Sequence, residues 1–181
     1  MIIKQNMSQS LNNIQSIIEK NIPLINYHSW MQNDKPKLDG QYYTSEEYLN
    51  SIKENDIVFG EHRYILDFGD LKLADKLYSH VEKMFPDYKP LVSGHWYYPK
   101  GGYMSWHTNS DKPEKHVYIT YVDELNKSFF RSSVNEKVIT DWDSEKLTVR
   151  VFDIVNKEPY YWHCVYSECN RYSFGFRLFE K

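Results

Sequence analysis

Cysteine, basic charge and long apolar runs are all scarce in this chain of 181 residues. The only two cysteines, Cys164 and Cys169, lie five residues apart, which provides no disulfide framework and predicts reduced thiols in a cytoplasmic protein. A formal net charge of -3 and a pI near 6.2 give no basic field for a phosphate backbone, so duplex nucleic acid is disfavoured as a partner. We find no long apolar run and no leader with a basic start and an apolar centre, so we expect no membrane segment.

Aromatic residues, in contrast, are abundant: 16 Tyr, 9 Phe and 5 Trp make up 17% of the chain. Short segments rich in such residues favour strands over helices. The length fits one domain over 1–181 with a single core and no linker. The chain contains no internal repeat and no low-complexity tract that would suggest another organisation.

The first 90 residues carry helical periodicity. Apolar residues recur at helical spacing within 10–20 and again within 70–85. Thr44, three residues before Glu47, has the spacing of a capping box and predicts the start of another helix. The apolar stripe of the last of these segments is predicted to pack against a sheet. It consists of Leu71, Ala74, Leu77, Val81 and Met84.

Beyond residue 90 the pattern changes to short segments rich in Val, Ile, Tyr, Phe and Trp, separated by turn residues. They predict strands at 91–98, 103–109, 116–122, 128–131, 147–154, 160–166 and 171–179. Consecutive strands after a helical start predict an α+β, mainly β fold: a cupin-like double-stranded β-helix, or jelly roll, with the N-terminal helices packed on one sheet. In this division, 1–90 is a helical support region and 91–181 is the jelly-roll core.

The segment 131–146 is predicted to be a loop between two of these strands. Most loops of this kind are solvated connections, but a loop of this length can also cover a substrate as a lid. Arg131, at its start, is the residue in it that we would test first.

Two histidines and an arginine are the residues from which the sequence predicts a metal site and a carboxylate-binding site. In "WHTN", His107 and Asn109 share one face of a strand because side chains alternate. His163 follows in "PYYWHCVYS", on the next-to-last predicted strand. Two imidazoles and one oxygen donor fill three metal positions and leave others open, which suits redox iron better than a closed zinc site. Arg171, with Ser173 two residues later, is a planar fork that can bind a carboxylate, so metal and cation together fit a dicarboxylic acid.

These motifs resemble the core of the iron(II)- and 2-oxoglutarate-dependent dioxygenases, especially the prolyl-hydroxylase-like and nucleic-acid-demethylase-like branches, over about half of the chain. The family pattern is H-x-D/E, a distant His, then Arg followed by a small hydroxyl residue. "WHTN" and "WHCVYSECNRYS" match it except at Asn109. The resemblance implies that His107 and His163 bind Fe(II). It also implies that Arg171 and Ser173 hold the distal carboxylate of 2-oxoglutarate.

The same resemblance assigns further residues. Tyr98, in "YYPKGG", stands where the family often has a Tyr-Pro-Gly turn, which implies a contact with the cosubstrate. Tyr121, in "VYITYVDE", matches a tyrosine that assists the arginine in some members.

Alternation along the predicted strands places further residues. Arg177 faces the same way as the predicted carboxylate-binding arginine and is the alternative to it. Trp106 and Trp162 are predicted to point away from the metal ligands and to pack between the sheets.

Asn109 departs from the family pattern, because a neutral amide stands where relatives have a carboxylate. An amide compensates the charge of a metal ion less well, so metal affinity is predicted to be lower. Four outcomes stay open. The amide oxygen ligates; Asp111, two residues further along, ligates directly or through water; water or an anion fills the position, as in members where a small residue admits halide; or the barrel has lost catalysis.

The resemblance implies an oxygenase that uses Fe(II), 2-oxoglutarate and O₂ and hydroxylates an unidentified small-molecule or peptide substrate, forming succinate and carbon dioxide. The alternative is a non-catalytic or differently metallated jelly roll with a binding or structural role. Compact chains with "WHTN" also resemble oxygenase-like proteins of bacteriophages, and a viral source would place the protein in the host cytoplasm.

Overall fold

The computed structural model of the chain describes residues 2–25, 39–55, 62–67, 72–134 and 136–181. Among them are four α-helices, α1 (Ile2–Asn21), α2 (Gly40–Tyr43), α3 (Glu46–Glu54) and α4 (Leu73–Met84), and a 3-10 turn at Ile22–Leu24. The strands in these ranges are β1 (Arg63–Tyr64), β2 (Leu66–Asp67), β3 (Tyr88–Tyr98), β4 (Tyr103–His107), β5 (Lys115–Val122), β6 (Ser128–Val134), β7 (Lys137–Trp142), β8 (Leu147–Asp153), β9 (Trp162–Ser167) and β10 (Arg171–Glu180).

The strands form two five-stranded antiparallel sheets. Sheet A has the order β2-β3-β10-β5-β8, and sheet B has the order β1-β4-β9-β6-β7. Strands that follow one another along the chain are therefore often placed in opposite sheets, as in a jelly roll. The predicted fold class, α+β and mainly β with jelly-roll sheets, is confirmed.

The helices α1 and α4 cover the outer face of sheet A. Alternation along β5 turns Val117 and Ile119 outward, where they join a core with Phe174 and Phe176 of β10. The helical side of this core is Ile14, Ile18, Leu73, Ala74, Leu77, Val81 and Met84. The predicted stripe of the 70–85 segment is thus buried against a sheet, apart from Leu71, which lies outside the described residues.

The outer face of sheet B carries a second cover, made by α2 and α3. Trp106 and Trp162 are buried there together with Leu49 and Ile52 of α3. The indole Nε1 of Trp106 donates to the carbonyl oxygen of Ser45 at 2.7 Å. The tryptophans do point away from the histidines that follow them, but their predicted packing between the sheets is wrong. Because the histidines occupy the inner face, alternation puts the preceding residues on the outer one.

The N-terminus of α3 also differs from the prediction. The cap is Ser45, whose hydroxyl accepts from the backbone N–H of Tyr48 at 3.1 Å. Thr44 instead donates its hydroxyl to the carbonyl oxygen of Gly40 at 2.8 Å, within the turn that ends α2. The capping-box spacing of Thr44 and Glu47 therefore located the helix to within one residue and assigned the wrong cap.

The segment 131–146, predicted to be a loop, is mostly the hairpin of β6 and β7. β7 is an edge strand whose residues are half-buried or exposed, so it lacks the buried alternation that identifies a strand from sequence. Arg131 donates from Nε to Thr140 Oγ1 at 2.9 Å and from Nη1 to the carbonyl oxygen of Thr44 at 2.9 Å. It therefore joins the hairpin to the α2–α3 connection.

Two short strands come from the first 90 residues. β1 pairs with β4 at the edge of sheet B, and β2 pairs with β3 at the edge of sheet A. Both sheets of the jelly roll thus take residues from the region predicted to be a helical support. In the ranges that the structure describes, no helix combines the length and apolar character needed to cross a membrane.

Candidate functional site

A cavity of about 680 Å³ is lined by residues of both sheets. The predicted site residues that reach it are Tyr98, His107, Asn109, Asp111 and Ser173. Its wall also includes Tyr118 from β5 and Arg63 from β1, neither of which was selected from the sequence. The cavity is large enough for a small molecule.

His107 and His163 are direct neighbours across β4 and β9, and their ring centroids are 4.1 Å apart. The Nδ1 atom of each ring lies near the carbonyl oxygen of the residue two positions earlier: 2.8 Å from that of Ser105 and 3.3 Å from that of Tyr161. An imidazole that donates from Nδ1 keeps the lone pair of Nε2 free for a donor or a metal. Both rings are held in the tautomer that a metal site requires.

Burial keeps both imidazoles neutral. It lowers the pKa of His107 to about 4, although the hydrogen bond to Ser105 opposes the shift; the charge of Arg63 lowers the pKa further. The pKa of His163 is also well below its usual range, first because of burial and then because of His107. Metal ions bind the neutral ring, so these two side chains are in the competent protonation state at neutral pH.

Asn109 lies beside His163, but not because of the strand alternation that was predicted to place it near the histidines. β4 ends at His107, so strand alternation does not extend to Asn109, whose φ of 52° lies in the left-handed region that asparagine tolerates. Its Nδ2 donates to Tyr118 Oη at 3.2 Å and lies 3.2 Å from Nε2 of His163. An amide can donate to an unprotonated imidazole nitrogen, which a carboxylate cannot do. Asn109 thus links Tyr118 and His163 in one network.

Tyr118, and not the predicted Tyr121, is the tyrosine of β5 that lines the cavity. On β5, Tyr118 faces the inside of the jelly roll, and its pKa is raised chiefly by burial. Tyr121 has the opposite parity, packs in the α1 side of the core, and donates from Oη to Glu19 Oε1 at 3.3 Å. The prediction of Tyr121 as a partner of the arginine is therefore wrong. Tyr118 lies on the same face of β5 as the buried Thr120, and this alternation is the sequence signal that could have identified Tyr118.

Asp111 lies at the mouth of the cavity. Its side chain is 74% exposed and is 3.9 Å from Nζ of Lys112. Within the described ranges, no group of three His, Cys, Asp or Glu side chains is arranged to hold a metal ion. The structure thus brings together His107, His163 and Asn109, and it leaves Asp111 apart from them.

Arg171 is fully buried and already has a carboxylate partner. Its Nε donates to Asp143 at 3.0 Å and its Nη2 donates to Thr120 Oγ1 at 3.1 Å. Its Nη1 is buried with no hydrogen-bond partner among the described residues, and its guanidinium carbon lies 5.0 Å from the ring centroid of Tyr98. Ser173, two residues along β10, lines the cavity. One donor of Arg171 is thus unpaired, although Arg171 itself is not part of the cavity wall.

Arg177, the alternative carboxylate-binding arginine, is engaged elsewhere. Its Nε and Nη2 donate to the two carboxylate oxygens of Glu114 at 2.8 and 2.6 Å. The Nε and Nη2 donors of the Arg177 guanidinium are thus both engaged by Glu114, and Arg177 does not line the cavity. Of the two arginines on this face of β10, only Arg171 retains an unpaired buried donor.

Asp143, which follows β7, is the partner that sequence reasoning missed. It is fully buried and also accepts from Nη1 of Arg150 at 2.7 Å and from the hydroxyl of Ser128. The Nε of Arg150 continues the chain of charges to the partly exposed Asp141 at 2.7 Å. A carboxylate between two buried guanidiniums neutralises charge that would otherwise be uncompensated.

This network predicts a pH dependence of stability. Burial alone would raise the pKa of Asp143, but Arg171 and Arg150 outweigh it and hold the pKa below its usual range. A carboxyl whose pKa is lowered by folding stabilises the protein above its unfolded value of about 3.9, and the contribution disappears as pH falls through the folded pKa. Urea denaturation should therefore show a difference between wild type and Asp143→Asn that is constant near neutral pH and shrinks below about pH 4. A difference independent of pH would contradict this assignment.

No family model matches the chain, and no curated protein matches it. Solved structures similar to it include an oxidoreductase of the 2OG-Fe(II) oxygenase family from Burkholderia pseudomallei, at 11% identity and a TM-score of 0.44, with 65% of this chain and 66% of that one covered. A prolyl-4-hydroxylase from Pseudomonas putida matches at 13% identity and a TM-score of 0.42 over 93% and 100% of the two chains. A cupin domain from Bordetella pertussis matches at 14% identity and a TM-score of 0.31 over 51% and 93%.

The chain spans just under two thirds of the first of these structures. Identities and TM-scores this low do not indicate an activity.

Proposed function

We propose that the chain is an iron(II)- and 2-oxoglutarate-dependent oxygenase that holds its metal through His107, His163 and the amide oxygen of Asn109. The observation that carries the proposal is the pair of neutral imidazoles with anchored Nδ1 atoms, one buried (His163) and one half-buried on the cavity wall (His107), beside an amide. Iron and 2-oxoglutarate, when bound, supply the oxidation of a substrate C–H bond by O₂, with succinate and carbon dioxide as by-products.

The donor set fits a metal with a weak third ligand. Two imidazoles and one amide are all neutral, so the charge of Fe(II) is left for an anionic cosubstrate to compensate. Asn109 now directs its NH₂ group towards His163, and a half-turn of the amide presents Oδ1 in its place. That rotation releases Nε2 of His163 at the same time. Both ligands thus become available through one side-chain movement.

The cosubstrate also finds donors from this chain. The buried Nη1 of Arg171 lacks a partner among the described residues, and Ser173 lines the cavity on the same strand. Together they can receive one carboxylate, and Tyr98 packs against the guanidinium. Ser173 and Tyr98 line the cavity, whereas Arg171 lies outside its wall, so the proposed cosubstrate contact of Arg171 is through the buried Nη1 beside them.

The second candidate is a jelly roll that binds a ligand without catalytic iron, in a binding or structural role. The specific observation in its favour is that the polar groups are paired without a metal: Asn109 donates to Tyr118 and contacts His163, and Asp143 already neutralises Arg171. A bacteriophage source stays a prediction under either candidate.

Anaerobic titration of the protein with Fe(II) and 2-oxoglutarate separates the candidates. The oxygenase should develop a weak visible charge-transfer band that requires both additions, and should form succinate when air is admitted. Titration of His80→Ala, altered on the distant α4, controls for unspecific metal binding by histidine. If the titration produces no band and no succinate forms in air, only the binding or structural role remains.

Asn109→Asp should tighten Fe(II) binding by about tenfold or more, because an anionic ligand replaces a neutral one. Aspartate tolerates the left-handed backbone of this position, so the change introduces no strain at φ 52°. Without metal, the same variant should be less stable, because the carboxylate cannot donate to Nε2 of His163. Both effects are measured by calorimetric titration and by melting temperature.

Asp111→Asn is the matched control. The exposed Asp111 should be replaced without effect on metal affinity. If Fe(II) affinity is unchanged in Asn109→Asp and falls in Asp111→Asn, the third metal ligand is Asp111 and not Asn109.

A further inference from the structure

Arg63 is an arginine that the oxygenase proposal does not use. It lies on β1, opposite Met104 of β4, and lines the cavity. No ion pair of Arg63 is found among the described residues, and its Nε is buried there with no hydrogen-bond partner. Arg171, by comparison, is paired with Asp143 and is absent from the cavity wall. The guanidinium open to the cavity is therefore that of Arg63.

The other charges of the cavity wall do not neutralise Arg63. Asp111 and Lys112 lie 3.9 Å apart at the mouth and offset each other. Of the Arg and Lys side chains in the described lining, Arg63 is therefore the one without a carboxylate partner.

A partly desolvated cation without a partner destabilises a folded protein, because each buried donor that makes no hydrogen bond loses its bond to water. A bound anion would restore those bonds. We infer that Arg63 binds the carboxylate of a small ligand that enters this cavity. The planar fork of arginine matches a carboxylate, and Trp96, Tyr98 and Met104 provide apolar wall for the rest of the molecule.

This inference requires no metal, so it stands or falls separately from the oxygenase proposal. The carboxylate has two possible sources in the cavity: the oxo acid itself or a second molecule that carries a carboxylate. Two probes distinguish them. One is 2-oxoglutarate, and the other is N-acetylglycine, a small carboxylate that is not an oxo acid, added in the presence of saturating 2-oxoglutarate.

The experiment is calorimetric titration of the metal-free protein, comparing wild type with Arg63→Gln and Arg177→Gln. Arg177 is the matched control, because it is an arginine already paired with Glu114 outside the cavity. Loss of the charged donor should weaken binding about 10- to 100-fold in Arg63→Gln and leave Arg177→Gln unchanged. A loss with 2-oxoglutarate assigns Arg63 to the oxo acid, and a loss confined to N-acetylglycine assigns it to the second carboxylate.

Three results would overturn the inference: no binding of either carboxylate by wild type, equal binding by wild type and Arg63→Gln, or Arg63-dependent binding of inorganic phosphate alone. Stability provides an independent readout. A ligand-binding cation without a structural partner predicts that ligand-free Arg63→Gln melts no lower than wild type. Failure of Arg63→Gln to fold would contradict that stability prediction; Arg63→Lys then tests binding alone, and it should retain the charge but bind more weakly than wild type because the fork is lost.

Discussion

Replacing Asp143 with Asn is expected to lower the free energy of unfolding by about 3–5 kcal/mol. The side chain is fully buried and accepts from both Arg171 and Arg150 at 3.0 and 2.7 Å. Asparagine keeps one acceptor oxygen but carries no charge, and its NH₂ group faces guanidinium donors. Two cations would thus be left in the interior with only the partly exposed Asp141 to compensate them.

Asp141→Asn is the control for this measurement. Asp141 also pairs with Arg150, but its side chain is 55% exposed, so its replacement should cost less than about 1 kcal/mol. Urea denaturation of the three proteins at neutral pH gives both values. If Asp143→Asn is no less stable than Asp141→Asn, the Arg171–Asp143–Arg150 cluster is not the stabilising element inferred from its geometry.

His107→Ala is expected to weaken Fe(II) binding by more than about 100-fold, because it removes one of the two imidazole ligands that we propose; removal of groups that merely support such ligands costs about 10- to 100-fold. His107 lines the existing cavity, whereas His163 is packed among Phe130, Phe152 and Tyr161. Alanine at His107 therefore disturbs packing less than alanine at His163 would. His107→Ala is the cleaner test of ligation.

The measurement is the rise in melting temperature that saturating Fe(II) produces under anaerobic conditions, since a ligand that binds only the folded state stabilises it. Wild type and His80→Ala should show the rise, and His107→Ala should not. If Fe(II) raises the melting temperature of His107→Ala as much as that of wild type, His107 is not a metal ligand. Comparison of the metal-free melting temperatures shows whether the variant has kept its fold.

The placement of several predicted site residues was predictable because it follows local rules. His107 and His163 lie on the same inner face because strands alternate, and each is preceded by a tryptophan that the same alternation sends outward. Arg171 and Ser173 are likewise separated by one residue on β10. For Asn109 the rule succeeded for the wrong reason, because the strand has ended there and a left-handed turn directs the amide back.

Other residues depend on contacts between distant segments. Asp143 was hidden in a segment predicted to be a loop, since the exposed edge strand β7 before it lacks a buried face. Tyr121 was chosen by motif, whereas the parity of β5 places Tyr118 at the cavity. Arg63 comes from a strand of two residues, too short to produce a periodic signal.

The sequence by itself determined the class of the fold, most of the strands beyond residue 90 and the side of each strand on which His107, His163 and Arg171 lie, because alternation is a local property of the backbone. Only the tertiary structure decided what those residues contact, which is an asparagine amide for the imidazole pair and a buried aspartate for Arg171, and that Arg63 lies on the cavity wall. These contacts join segments far apart in the chain, and their pairing depends on how two sheets stack, which local periodicity does not encode.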